Sequence, residues 1–125
     1  MSTSQTVAIL GASDKPERYA NKAQKLLREH GHKVIPVHPT RKVIDGIDVV
    51  PQLADIKQPV DTLTLYLGAD RLKPLIPAIV GLKPRRVIFN PGTESEEVQQ
   101  ALRDSGIAFE EACTLVLLNT GQFDF

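Results

Sequence analysis

Short apolar runs that alternate with helically spaced segments constrain this chain more than any other feature. Residues 6–10, 33–37, 60–67, 86–90 and 107–111 read as strands. The first is apolar throughout, as a strand buried on both faces should be. The third alternates Val60, Leu63, Leu65 and Leu67 with polar residues between, and so reads as a strand. Between them, Ala20, Ala23, Leu26, Leu27 and His30 recur at helical spacing up to a stop at Gly31. Leu72, Leu75, Ile76, Ile79 and Val80 do the same up to Gly81, with Pro77 expected to kink that helix or delay its start. Val98, Ala101 and Leu102 mark a helix that Gly106 ends and Thr93 or Ser95 could cap. Residues 38–46 read as a polar connection, 47–50 as a short edge strand closed by Pro51, and 52–56 as a single helical turn. Residues 113–118 add a last apolar segment.

Strands separated by helices need right-handed crossovers and therefore pair in parallel. The expected fold class is α/β, a Rossmann-like doubly wound parallel sheet in three α/β/α layers. A single domain is expected over residues 5–122. The first strand should be central, beside the 60–67 strand. The crevice between their ends is the topological switch point, where ligands bind in such sheets.

Composition excludes several roles. Fifteen basic and fifteen acidic residues cancel, so no nucleic-acid surface is expected. The one cysteine, Cys113, rules out an internal disulfide and fits a reducing compartment. No apolar stretch reaches the roughly 20 residues that span a bilayer, and the polar residues 1–5 lack the order of a signal peptide. A cytoplasmic protein without a membrane partner is expected.

The first turn reads Gly11-Ala12-Ser13-Asp14-Lys15-Pro16. A glycine turn between a buried strand and a helix suits a phosphate. Ser13 and Pro16 stand where a dinucleotide fingerprint has its second and third glycines, so the loop should be longer and the helix should start between Pro16 and Asn21. Ser13 offers a hydroxyl and an amide, and Lys15, Arg18 and Lys22 add charge. Enzymes using NAD place an acid after the second strand for the ribose hydroxyls. Here His38-Pro39-Thr40-Arg41-Lys42 carries two cations and no acid. That suits a ribose phosphate, either the 3′-phosphate of coenzyme A or the 2′-phosphate of NADP.

Together with these turns, Ile88-Phe89-Asn90-Pro91-Gly92-Thr93-Glu94 and Glu111-Ala112-Cys113-Thr114-Leu115-Val116 make the chain resemble the stand-alone CoA-binding domain proteins. These are relatives of the nucleotide-binding domain of the succinyl-CoA synthetase α subunit. The resemblance implies non-catalytic binding of coenzyme A or an acyl-CoA in an extended groove. Gly11, Ala12 and Ser13 would cradle the pyrophosphate, with Arg18 adding charge nearby. His38, Pro39 and Arg41 would border the adenosine end. Gly68 and Ala69 would face the adenine or pyrophosphate, and Asn90, Pro91 and Gly92 would lie toward the pantetheine. His38 departs from the family, whose members often carry Asn there. Protonation of an imidazole at that place should make affinity vary near neutral pH.

No other constellation points to chemistry. No Cys or His pair has metal-ligand spacing, and no serine sits in a nucleophile elbow. Asp70 and Glu94 read as helix-terminal acids. Cys113 reads as a small buried residue, or else as a thiol near the CoA sulfur. An NADP-dependent reductase would need a proton donor, and Tyr19 and Tyr66 lack suitable partners in the sequence. A ligand-free interaction module is the remaining alternative. Its dimer face, or its surface for a protein partner, would be residues 115–118 with Phe123 and Phe125.

Overall fold

A computed structural model describes residues 4–124. Strand β1 (Thr6–Leu10) leads through helix α1 (Tyr19–Glu29) to β2 (Lys33–Val37). A hairpin of β3 (Val43–Ile44) and β4 (Ile47–Asp48) follows, then a 3₁₀ turn at Leu53–Asp55 and β5 (Thr62–Leu65). Next come α2 (Ala69–Leu72), a 3₁₀ turn at Lys73–Leu75, α3 (Ile76–Leu82) and β6 (Arg86–Phe89). The chain continues through α4 (Glu96–Asp104), β7 (Ala108–Glu111) and α5 (Thr114–Asn119).

The main sheet has five strands in the order β2-β1-β5-β6-β7, all parallel. The layered Rossmann-like architecture is as expected. Strand β1 lies beside β5 as expected, but β5 rather than β1 is the middle strand. The order reverses between β1 and β5, so the chain leaves these two strands in opposite directions and a crevice opens at their ends.

Each sheet face buries its own core. Ala8, Leu10, Leu63, Leu65, Val87 and Phe89 pack with Ile79, Val98 and Leu102 on one side. Val7, Ile9, Val34 and Ile88 pack with Ala20, Leu27 and Leu118 on the other. Thr62 and Thr64, the polar residues of β5, are fully buried. Their hydroxyls are satisfied inside: Thr62 Oγ1 donates to Gln5 Oε1 at 2.7 Å, and Thr64 Oγ1 meets Thr114 Oγ1 at 2.8 Å.

Three local expectations are corrected. The 38–46 connection contains half of the β3–β4 hairpin. Asp45 (φ 49°) and Gly46 (φ 78°) form its two-residue turn, where a left-handed backbone at both positions matches strand twist. Val50 makes only an isolated bridge to Val37 instead of continuing an edge strand. The helix after β5 is interrupted by the 3₁₀ turn, as Pro77 in the first turn of α3 led one to expect, but it passes Gly81 to end at Lys83 (φ 53°).

The N-terminal edge of the sheet is closed by the chain end. Phe123 is buried, so it does not supply a dimer face, while Val116 on α5 is exposed. Phe125 lies outside the described residues. The Phe123 ring sits 5.1 Å from the His32 ring and 4.7 Å from the Arg86 guanidinium carbon. Arg86 Nη2 donates to Phe123 O at 2.9 Å and to Thr62 Oγ1 at 3.0 Å. Among the described residues, no helix is long and apolar enough to cross a membrane.

Candidate functional site

The loops that leave β1, β2, β5 and β6 surround a cleft of about 750 Å³ at the C-terminal edge of the sheet. Gly11 makes the floor. Its φ of +92° favours glycine, and a Cβ there would meet Tyr66 C, Tyr66 O and Leu67 Cδ2 at 3.0 Å. Only a residue without a side chain lets the β1 turn pass so close to the end of β5.

The loop after Gly11 presents donors. The Ala12 amide is spent on Val37 O at 3.3 Å, whereas the Ser13 and Asp14 amides have no acceptor among the described residues. Ser13 Oγ accepts from the Lys15 amide at 3.1 Å, which leaves its hydroxyl proton free to donate outward. Helix α1 begins at Tyr19, inside the expected window. Its N-cap, Arg18, makes no side-chain cap, and its first turn holds no acid. Helix α4 differs: Ser95 Oγ accepts from Val98 N, and Glu96 and Glu97 compensate its positive end. The α1 terminus therefore keeps its orphan amides and partial positive charge turned toward the cleft. Asn21 fixes this arrangement. Its Nδ2 donates to Ser13 O and to Asp45 Oδ2, both at 2.9 Å.

The second loop is organised by His38. Its Nδ1 accepts from the Thr40 amide at 3.1 Å and from the Arg41 amide at 3.0 Å. This pattern assigns the ring proton to Nε2. His38 thus shapes the loop much as an Asx turn does. A second ring proton on Nδ1 would remove the acceptor. Arg41 Nε lies 3.3 Å from Asp14 Oδ2, so the two loops meet in an ion pair.

Ten of the expected site residues line the cleft: Gly11, Ala12, Ser13, Arg18, His38, Pro39, Arg41, Gly68, Pro91 and Gly92. Ala69 and Asn90 do not. Ala69 opens α2. Asn90 is buried with its side chain turned into the protein. Its Nδ2 donates to Thr64 Oγ1 at 2.6 Å and to Leu65 O at 2.8 Å, and its Oδ1 accepts from Thr114 N at 2.9 Å. It ties β5, β6 and α5 together and leaves the cleft lining at this turn to Pro91 and Gly92. Lys22 and Lys42 also lie outside the lining. Glu94 does not cap α4; its Oε1 accepts from the Gly92 amide at 3.0 Å. Cys113 is half-buried at the N-cap of α5, also outside the lining.

Two lining residues carry no motif. Arg71 points a further cation at the cleft from α2. Its sequence signal is its place in the first turn after Gly68. Tyr66 is half-buried, and burial pushes its phenol up to about 12, against the pull of the Thr114 and Thr64 hydroxyls. It stays protonated at neutral pH and is held as a wall. Leu53, Leu67, Leu75 and Ala78 give the lining an apolar wall. The donors, cations and apolar wall suit a ligand with several phosphates and a long uncharged arm.

Comparison with known proteins agrees with this arrangement. A family model for a CoA binding domain matches residues 5–119. A crystal structure of an uncharacterized protein superposes with a TM-score of 0.87 at 38% identity, covering 97% of this chain and 99% of that one. The structure of cell-free ID.343 from Thermus thermophilus gives 0.88 at 31% identity, covering 96% and 91%. The uncharacterized protein YneT of Bacillus subtilis is 26% identical over 103 residues, 82% of this chain and 76% of that protein.

Proposed function

The chain belongs to the CoA binding domain family, and from that premise we propose that residues 5–122 bind coenzyme A or an acyl-CoA without catalysing a reaction on it. The observation that carries this reading is the open positive terminus of α1. It faces the same cleft as the unpaired Ser13 and Asp14 amides and the side chains of Lys15, Arg18, Arg41 and Arg71. Backbone amides and the Ser13 hydroxyl hold the pyrophosphate. Arg41 takes the ribose 3′-phosphate. The pantetheine runs past the Pro91-Gly92 turn and the apolar wall. The fit is chemical as well as spatial, since fixed N–H groups match phosphate oxygens and no side chain intrudes at Gly11.

Calorimetric titration with CoA, dephospho-CoA and NADP tests the reading. CoA should bind tightest, and dephospho-CoA about tenfold weaker for want of one charge-assisted contact. Native mass spectrometry of protein purified from cells should find the ligand by its mass. Absence of any heat with CoA at millimolar concentration rejects the proposal, and tighter binding of NADP than of CoA replaces it with a nicotinamide-cofactor site.

A further inference from the structure

We propose that Asp14 is a built-in competitor for Arg41, and so sets how strongly the cleft prefers a ligand with a phosphorylated ribose. This rests on the CoA reading above and goes beyond it by assigning a specificity role to a residue that would not hold the ligand.

Four cations line the cleft: Lys15, Arg18, Arg41 and Arg71. Asp14 is the only carboxylate among the described lining residues. Of the four cations, Arg41 alone is ion-paired with a carboxylate, and that carboxylate is Asp14, at 3.3 Å. The backbones on both sides of the pair are pinned. The Arg41 amide donates to His38 Nδ1 at 3.0 Å, and the Ser13 carbonyl accepts from Asn21 Nδ2 at 2.9 Å. The pair therefore spans two fixed loops, while its own side chains are half-exposed and free to part.

A ribose phosphate that binds the Nε edge of Arg41 takes the place of the Asp14 carboxylate. A ligand without that phosphate leaves the pair standing. The net gain from the phosphate is thus the difference between two contacts of one guanidinium, and Asp14 holds that difference down. Its repulsion of the pyrophosphate acts on both ligands alike. The ratio of their affinities therefore cancels that repulsion, and the Arg41→Ala background separates the competition from direct repulsion of the ribose phosphate.

The test is calorimetric titration of CoA and dephospho-CoA into the wild type, Asp14→Asn, Arg41→Ala and the double variant, with melting temperatures confirming that each is folded. Asp14→Asn should raise the preference for CoA over dephospho-CoA by about fivefold, the scale of a half-exposed ion pair. The increase should vanish when Arg41 is alanine. An unchanged preference with CoA still bound overturns the role of Asp14 and leaves the CoA reading standing. So does an increase that persists without Arg41. Failure of every variant to bind CoA overturns that reading, and this proposal with it.

Discussion

A Cβ on Gly11 would lie 3.0 Å from the carbonyl carbon and oxygen of Tyr66. The floor of the cleft is thus set largely by backbone against backbone: the Leu67 side chain, also at 3.0 Å, could give way, but the Tyr66 carbonyl could not. Gly11→Ala must both enter a left-handed conformation and force β1 and β5 apart. It should cost more than about 1 kcal/mol in urea unfolding. It should also weaken CoA binding, because the Ser13 and Asp14 amides move with the turn. A variant with unchanged stability and affinity would contradict this account of the floor.

The second prediction concerns Asn90, which sequence reasoning placed toward the pantetheine. Asn90→Ala would leave the Thr114 amide and the Leu65 carbonyl without their buried partner. A loss of about 2–3 kcal/mol is expected, the cost of burying unsatisfied groups. Asn90→Asp keeps the acceptor for Thr114 but has no donor for Leu65 O, so it should also destabilise the fold. Equilibrium denaturation of both variants measures the effect. A fully stable Asn90→Ala protein with weakened CoA binding would return Asn90 to a direct role.

The architecture was legible because β1 and β2 each carry four consecutive apolar residues and because Gly31 and Gly106 punctuate the helices where periodicity stops. The hairpin was not. Its Asp45-Gly46 turn is a good local signal, but each strand is two residues long and offers no alternation to read. The burial of the two threonines of β5 is hidden in the sequence, because polarity there does not reveal a buried partner. Thr64 is satisfied by Thr114, 50 residues away. Asn90 was misplaced for the same reason, since its partners Thr64 and Thr114 lie 26 and 24 residues off. The cationic loop after β2 was visible from composition. Its pairing with Asp14 depends on how two loops meet and could not be.

His32 gives a prediction in pH. Its Nδ1 accepts from the Gln5 amide at 3.0 Å, so the fold needs this ring neutral. Burial pushes the imidazole below its ordinary value; His30 and Arg86 push the same way, and Asp124 opposes them. The unfolded chain therefore takes up a proton that the native state resists. The stability from a neutral His32 is full above the unfolded value of about 6.5 and is lost as pH falls from there through the folded value. His32→Asn keeps an acceptor near the Gln5 amide but cannot titrate. Melting temperatures from pH 7.5 to 5 should show the wild type's advantage over this variant shrinking as pH falls. A constant difference would mean that His32 does not sense pH.

The last prediction separates the two edges of the sheet. Phe123 packs against His32 and Arg86 at the starts of the strands, while the cleft opens at their ends. Phe123→Ala removes a buried ring and leaves the Arg86 guanidinium without its aromatic face. It should cost about 3 kcal/mol in unfolding. Because that ring lies at the other end of the strands from the cleft, CoA affinity measured well below the melting temperature should stay within about twofold of the wild type. The paired variant Arg41→Ala should do the reverse, weakening CoA while leaving stability nearly unchanged, since its ion pair is half-exposed. If Phe123→Ala weakened CoA as much as Arg41→Ala did, the binding site would not be confined to the C-terminal edge.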